Sequence, residues 1–140
     1  MTGKSSAKLA PADYHILAEF RFLLRRFLVF SEDAARAAGL TPQQHQALLA
    51  IKGFGEGRAP TIGDLAHQLV IKHHSAVGLV NRLAMAGYLK RQPDMNDRRR
   101  VTLALTASGE RLLEALTSAH RDELRMLTPS LKALFAKLER

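Results

Sequence analysis

Apolar side chains recur at helical spacing along most of the chain, and the period drops to two over one short stretch. From Ala12 onward, Ile16, Phe20, Leu23, Leu24, Phe27 and Leu28 share a stripe that Arg21, Arg25, Arg26 and Glu32 mostly avoid, which predicts a long first helix ending near Gly39. Thr41-Pro42-Gln43-Gln44 combines a capping Thr, a first-turn Pro and a Gln three residues after the cap, so a second helix is expected to about Lys52. Gly53, Gly55 and Gly57 then open a loop that closes at Ala59-Pro60. Thr61-Ile62-Gly63-Asp64 begins a third helix with Leu65, Ala66 and Leu69 inward. After a turn at Val70-Ile71-Lys72, a fourth helix is expected from His73 to Ala86. Val77, Val80, Leu83 and Ala84 lie on its inner side, and His74, Ser75, Gly78 and Arg82 on its outer side.

Beyond Gly87 the period changes. Tyr88 to Gln92 and Val101 to Leu105 read as two strands, the second with Val101, Leu103 and Leu105 on one face and Thr102 and Ala104 on the other. Pro93-Asp94-Met95-Asn96-Asp97 supplies the turn between them. Thr106 caps a fifth helix with Leu112, Leu113, Leu116 and Leu124 as its stripe, and Thr128-Pro129 repeats the cap-then-proline signal for a last short helix carrying Leu131, Leu134, Phe135 and Leu138. The expected organisation is a flexible tail over 1–10, an apolar helical segment over 11–40, a compact middle lobe over 41–106 and C-terminal helices over 107–140. The terminal helices carry more large apolar residues than a small monomer can bury, which points to packing against another chain.

Charge adds a partner class. The 140 residues hold 21 Lys and Arg against 13 acids, a net +8, and segment 58–100 alone accounts for +5 of it. Such a balance attracts polyanions, either nucleic acid or an anionic membrane surface. There is no cysteine, which removes disulfides and thiol redox sensing and fits a cytoplasmic protein. No apolar run approaches the roughly 20 residues of a membrane span, and no signal-peptide pattern follows Met1.

The excess charge sits on a recognisable arrangement. Two short helices joined by a tight turn form a helix-turn-helix, and a ribbon tipped by Asp97-Arg98-Arg99-Arg100 follows directly. The combination is a winged helix-turn-helix: the second helix suits a major groove and the ribbon arginines an adjacent minor groove. Ser75, Ala76 and Gly78 are small enough for close approach to base edges, while His74 and Arg82 can donate to bases or phosphates. The helix N-terminus near Lys72 to His74 favours a phosphate.

From Thr61-Ile62-Gly63-Asp64-Leu65-Ala66, through Val77, Val80-Asn81-Arg82-Leu83 and Gly87-Tyr88-Leu89, to Arg91, Asp94 and Asp97-Arg98-Arg99, the chain resembles the MarR-type bacterial transcription regulators. Leu103, Leu105-Thr106 and Gly109 extend the resemblance, and weaker similarity runs over both terminal helices. It implies a mainly α fold with a small β-hairpin wing, and N- and C-terminal helices that form a homodimer on a roughly palindromic double-stranded DNA operator. It also implies that Asp97 holds a wing arginine, that Arg99 enters the minor groove, and that Arg98 and Arg100 meet phosphates. The candidate DNA-contacting set is therefore Lys72, His73, His74, Ser75, Ala76, Gly78, Leu79 and Arg82 on the helix, with Asp97, Arg98, Arg99 and Arg100 on the wing. Relatives are usually repressors released by a small aromatic or phenolic ligand, and the same is expected here.

Other chemistries fit less well. His73 and His74 diverge by about 100° on a helix and no two histidines stand at i,i+4, so no metal site is expected, although His15, His45, His67 and His120 could converge in the fold. Arg21, Arg25 and Arg26 could bind a carboxylate, or form a solvated face. Gly53-Phe54-Gly55-Glu56-Gly57 lacks the Lys-Ser/Thr continuation of a phosphate loop and does not follow a strand, so neither an enzyme nor a cofactor is expected. The alternative is a nucleic-acid-binding or architectural protein without sequence readout or ligand response.

Overall fold

The structure, a computed structural model, describes residues 8–140. The expected tail therefore falls outside the described residues except for Lys8, Leu9 and Ala10, which precede the first helix without regular structure. The elements run α1 (Pro11–Ala37), α2 (Pro42–Lys52), α3 (Ile62–Leu69), α4 (His73–Met85), β1 (Leu89–Pro93), β2 (Val101–Leu105) and α5 (Ala107–Leu138). They form two compact units. One spans Ser31–Ala119; the other combines the described part of Met1–Phe30 with His120–Arg140.

In the Ser31–Ala119 unit the expected capping boxes form. Thr41 Oγ1 accepts the Gln44 N–H while Gln44 Oε1 accepts the Thr41 N–H, and Thr61 and Asp64 repeat the exchange. The core gathers Leu48, Leu65, Leu79, Val80, Leu83, Leu89 and Leu103, each buried. Three chain reversals share one geometry: Leu40 N–H returns to Ala35 O at 2.9 Å, Ile71 N–H to Ala66 O at 3.0 Å and Tyr88 N–H to Leu83 O at 3.0 Å. Each passes through a left-handed residue, Gly39, Val70 and Gly87 respectively. Two of these are glycine, which adopts that backbone freely; Val70, at φ 55°, is β-branched and does not.

The hairpin pairs antiparallel with Leu89 opposite Leu105, Arg91 opposite Leu103 and Pro93 opposite Val101. The first strand starts one residue later than expected because the Tyr88 N–H closes α4. The strict alternation expected of β2 does not hold. Val101 is exposed and Thr102 is buried, its Oγ1 donating to Gln92 O at 3.3 Å. Leu103 N–H donates to Pro60 O at 2.8 Å, tying the outer edge of β2 to the α2–α3 loop. Thr106 caps α5 as expected, accepting the Gly109 N–H at 3.1 Å and donating to Gly87 O at 2.6 Å. A Cβ on Gly109 would overlap the Tyr88 carbonyl, so only glycine fits where the wing meets α5.

The second unit corrects the sequence reading in two places. No break occurs at Thr128-Pro129, and α5 continues through it. Thr128 Oγ1 donates back to Leu124 O at 2.8 Å instead of capping a new helix. His120, Leu127 and Leu134, spaced by seven, remain buried in phase across the proline, and this continuous face decides the matter. In α1 only part of the expected stripe is covered: Ile16 and Leu23 pack with Leu127 and Leu134, whereas Phe20, Leu24 and Leu28 are 37%, 40% and 43% exposed. The stripe merged two neighbouring helical rows, and the chain itself supplies cover for one of them.

Candidate nucleic-acid interface

The outer surface of α4 and the wing lie in the same compact unit, and α4 and the base of the wing pack on one core. Ala76, Leu79, Val80 and Leu83 form the buried row of α4 at i, i+3, i+4 and i+7. This placement corrects two expected contact residues. Ala76 is 0% and Leu79 1% exposed, so neither can reach a nucleic acid, and Val77, expected inward, is only half-buried. The sequence stripe began one position too late, because Ala76 reads as a small surface residue while it fills the close approach of α4 to the core.

Lys72, His73, His74, Ser75 and Arg82 are exposed, as expected. Gly78 is half-buried: the Arg82 guanidinium lies over it, close enough that a Cβ would stand 3.4 Å from Nη1. A larger residue at 78 would push Arg82 outward from the helix surface. Lys72 provides no side-chain cap for α4, in contrast to Thr41 and Thr61 on the two preceding helices, so its side chain leaves the first backbone N–H groups of α4 at the positive end of the helix dipole without a cap.

The wing tip is held by its own acids. Asp97 Oδ1 accepts the Arg99 backbone N–H at 3.1 Å and Arg99 Nε at 3.2 Å. Asp94 closes the other side: its N–H donates to Arg100 O at 3.0 Å, its Oδ1 accepts the Asn96 N–H at 3.2 Å, and its Oδ2 stands 3.8 Å from Arg100 Nε. The four expected wing residues are thus brought together, and Asp94 joins them with a structural role. The Arg99 side chain remains 92% exposed despite its tether, which leaves the guanidinium edge open to a partner. No hydrogen bond or ion pair to another described residue holds the Arg98 side chain.

Beneath this surface, Arg58 reaches across the start of α3. Its Nη1 donates to Asp64 Oδ2 at 2.6 Å and its Nη2 to Oδ1 at 3.2 Å, while its guanidinium carbon lies 5.0 Å from the centre of the Phe54 ring. The Arg58 bond, with the backbone bond from Thr61, holds the Asp64 carboxyl well below the usual carboxylate range against a smaller opposing effect of burial. The same bond raises the Arg58 guanidinium. Sequence reading identified Asp64 as a cap but gave no sign of its second partner.

Among the described residues no three His, Asp or Glu side chains converge as a metal site. His45 is buried in the core, and His120 packs edge-on against Phe27 and Phe30 at 5.7 and 5.2 Å. The expected arginines of α1 are not gathered into a closed site. Arg25 and Arg26 border an open recess with Phe22, Val29 and Phe30, where Arg26 lies 5.9 Å from the Phe22 ring centre. No described helix is long and apolar enough to cross a membrane.

Comparison with known proteins bears on this arrangement. The MarR family model matches residues 38–100, which hold α2 to α4, β1 and the wing tip. The uncharacterized HTH-type transcriptional regulator YcgE of Bacillus subtilis is 38% identical over 94 residues, covering 66% of this chain and 59% of the relative. The HTH-type transcriptional repressor NicR of Pseudomonas putida is 29% identical over 136 residues, covering 94% of this chain and 84% of the relative. The chain spans about half the length of the first curated relatives it matches, 59%, 47% and 52%. Among solved structures, the Staphylococcus aureus MepR–DNA complex superposes with a TM-score of 0.65 at 21% identity, covering 94% of this chain and 97% of that one.

Proposed function

The chain belongs to the MarR family of winged helix-turn-helix proteins, and on that premise we propose that it is a sequence-specific DNA-binding transcriptional regulator rather than an enzyme. The observation that carries the reading is the pairing, in one compact unit, of a small-surfaced α4 that its N-cap side chain leaves uncapped with an exposed wing arginine already oriented by Asp97. In this reading α4 enters a major groove, with Ser75 and Arg82 facing base edges and Lys72, His73 and His74 facing phosphates. Arg99 enters the adjacent minor groove, and Arg98 and Arg100 contact the backbone. MepR, a structural neighbour, is a transcription regulator solved in complex with DNA, and NicR is a repressor, which supports the same assignment.

Two chains acting as a homodimer on a palindromic operator complete the proposal. The half-exposed Phe20, Leu24, Leu28 and Phe135 support it, since an apolar surface of this kind suits a second copy. We further propose that the regulator acts as a repressor released by a small aromatic or phenolic ligand. The family resemblance supports this, as does the recess of rings and guanidinium groups on α1, whose chemistry suits an aromatic carboxylate. Selection of bound duplex from a random pool, followed by titration at rising salt, tests the central claim. A regulator keeps its preference for one palindrome as affinity falls, whereas a charge-driven binder loses all sites alike and would overturn the assignment.

A further inference from the structure

One polar contact joins the two parts of the candidate interface directly. Arg91, on β1, donates through Nη2 to Asn81 Oδ1, on α4, and both side chains are exposed. We propose that Asn81 and Arg91 form a positioning strut that sets the wing against the recognition helix, and so fixes the spacing between the groove contacts of α4 and those of Arg99. The inference rests on the DNA-binding reading above and adds residues that are not themselves placed on the nucleic acid.

Two strands of five residues, with no third strand among the described residues, are marginal by themselves, and the tip over 94–100 extends beyond the last paired residues. One edge of the ribbon is secured where Leu103 N–H donates to Pro60 O. Arg91 stands opposite Leu103 in the register, so its side-chain bond to Asn81 holds the other strand at the same level. Past that level no described contact ties the wing tip to α4. The direction of the tip is therefore set at Arg91.

Stability alone gives this pair little reason to exist. A solvent-exposed charge-assisted contact contributes little to folding, because water competes for both groups. Its consequence is orientational: a wing already aimed at its groove does not have to be ordered at the moment of binding. Arg91 is held by a neutral amide, so the guanidinium keeps its full charge beside the DNA-facing surface.

The absence of cysteine makes the test clean, since thiols introduced at Met85 and Met95, 89% and 95% exposed, are the sole labelling sites. Spin labels there report the distance from the end of α4 to the wing tip, measured in labelled chain diluted with unlabelled chain. The proposal expects a narrow distance distribution that broadens in Asn81→Ala and in Arg91→Ala and narrows again in Asn81→Asp, which keeps the acceptor. Melting temperature should stay within a few degrees throughout. On the selected duplex, unlabelled Asn81→Ala should bind roughly three- to tenfold weaker, and Arg99→Ala should cost less in that background than in the wild type. An unchanged distribution in Asn81→Ala overturns the strut whatever the DNA result. A wild-type chain that binds no duplex overturns the DNA-reading role together with the function it rests on, while the distance measurement stands separately.

Discussion

Asp97 engages Arg99 twice through one oxygen, accepting the backbone N–H at 3.1 Å and Nε at 3.2 Å. The first bond fixes the turn and the second fixes the side chain, so a single carboxylate sets both where Arg99 starts and where it points. The Nη atoms are left for a partner. Arg99→Ala is expected to weaken operator binding by on the order of 1–3 kcal/mol without loss of fold. Asp97→Ala should give a smaller loss in the same direction, and Asp97→Asn, which keeps an acceptor at Oδ1, a smaller one still. Fluorescence anisotropy at fixed salt checks the ranking; equal affinity for wild type and Arg99→Ala removes Arg99 from the interface.

Val70 is a second point where one residue departs from its surroundings. It occupies the left-handed position that Gly39 and Gly87 fill in the equivalent reversals, and it is 89% exposed, so its side chain gains nothing from packing. Left-handed backbone costs an L-residue roughly 1–2 kcal/mol, and replacement by glycine returns about 0.5–1 kcal/mol of that through the freer unfolded chain. Val70→Gly should therefore stabilise the protein by about 0.5–1 kcal/mol. Urea unfolding with an unchanged slope and a higher midpoint checks it; a lower midpoint would show that the turn tolerates valine without strain.

These residues mark how far the sequence alone could reach. Caps and turns are local, so Thr41, Thr61, Gly87 and Thr106 announced their helix boundaries and the structure places each as read. The hairpin was legible from its change of period and its turn residues, whereas the Asp97–Arg99 contact was expected only from the family resemblance and is present at the tip. What sequence periodicity blurred was the choice between adjacent helical rows. Ala76 and Leu79 turned inward and Leu24 and Leu28 stayed outward, because burial depends on which row another element covers. The α5 break failed similarly: Thr128-Pro129 carries the same local signal as Thr41-Pro42, and only the in-phase burial of Leu127 and Leu134 distinguishes them. The Asn81–Arg91 and Arg58–Asp64 contacts left no sequence trace, because one joins α4 to β1 and the other joins a loop residue to the start of α3, at spacings that no local motif fixes.

The Arg58–Asp64 pair makes stability depend on acid. The folded Asp64 carboxyl lies below its unfolded value of about 3.9, because Arg58 and the Thr61 N–H bind the charged form. The unfolded chain therefore takes up the proton first. The stabilisation is complete above about pH 4 and is lost as the pH falls toward the folded value. Asp64→Asn should be less stable than wild type at neutral pH and show a flatter decline below pH 4, with the two curves converging. Unfolding midpoints in urea across the acid range check this, and parallel curves would remove Asp64 from the acid response.

The apolar surface of the smaller unit bears on assembly. The rings of Phe20 and Phe135 meet at a tilt of 42° with their centres 6.3 Å apart, yet remain 37% and 46% exposed, and Leu24 on α1 is 40% exposed. Covering a leucine fully is worth about 1.5–3 kcal/mol, so several such residues together favour a second copy. Leu24→Glu should then shift the protein from two copies to one at micromolar concentration, since a carboxylate forced into that contact loses its water. The partial exposure of Leu24 within one chain lets the glutamate stay solvated there, so the circular dichroism spectrum should not change. Sedimentation decides the outcome: a wild-type chain that runs as a folded monomer removes the two-fold axis. With it goes the requirement for a palindromic operator, and one winged lobe would have to read its DNA alone.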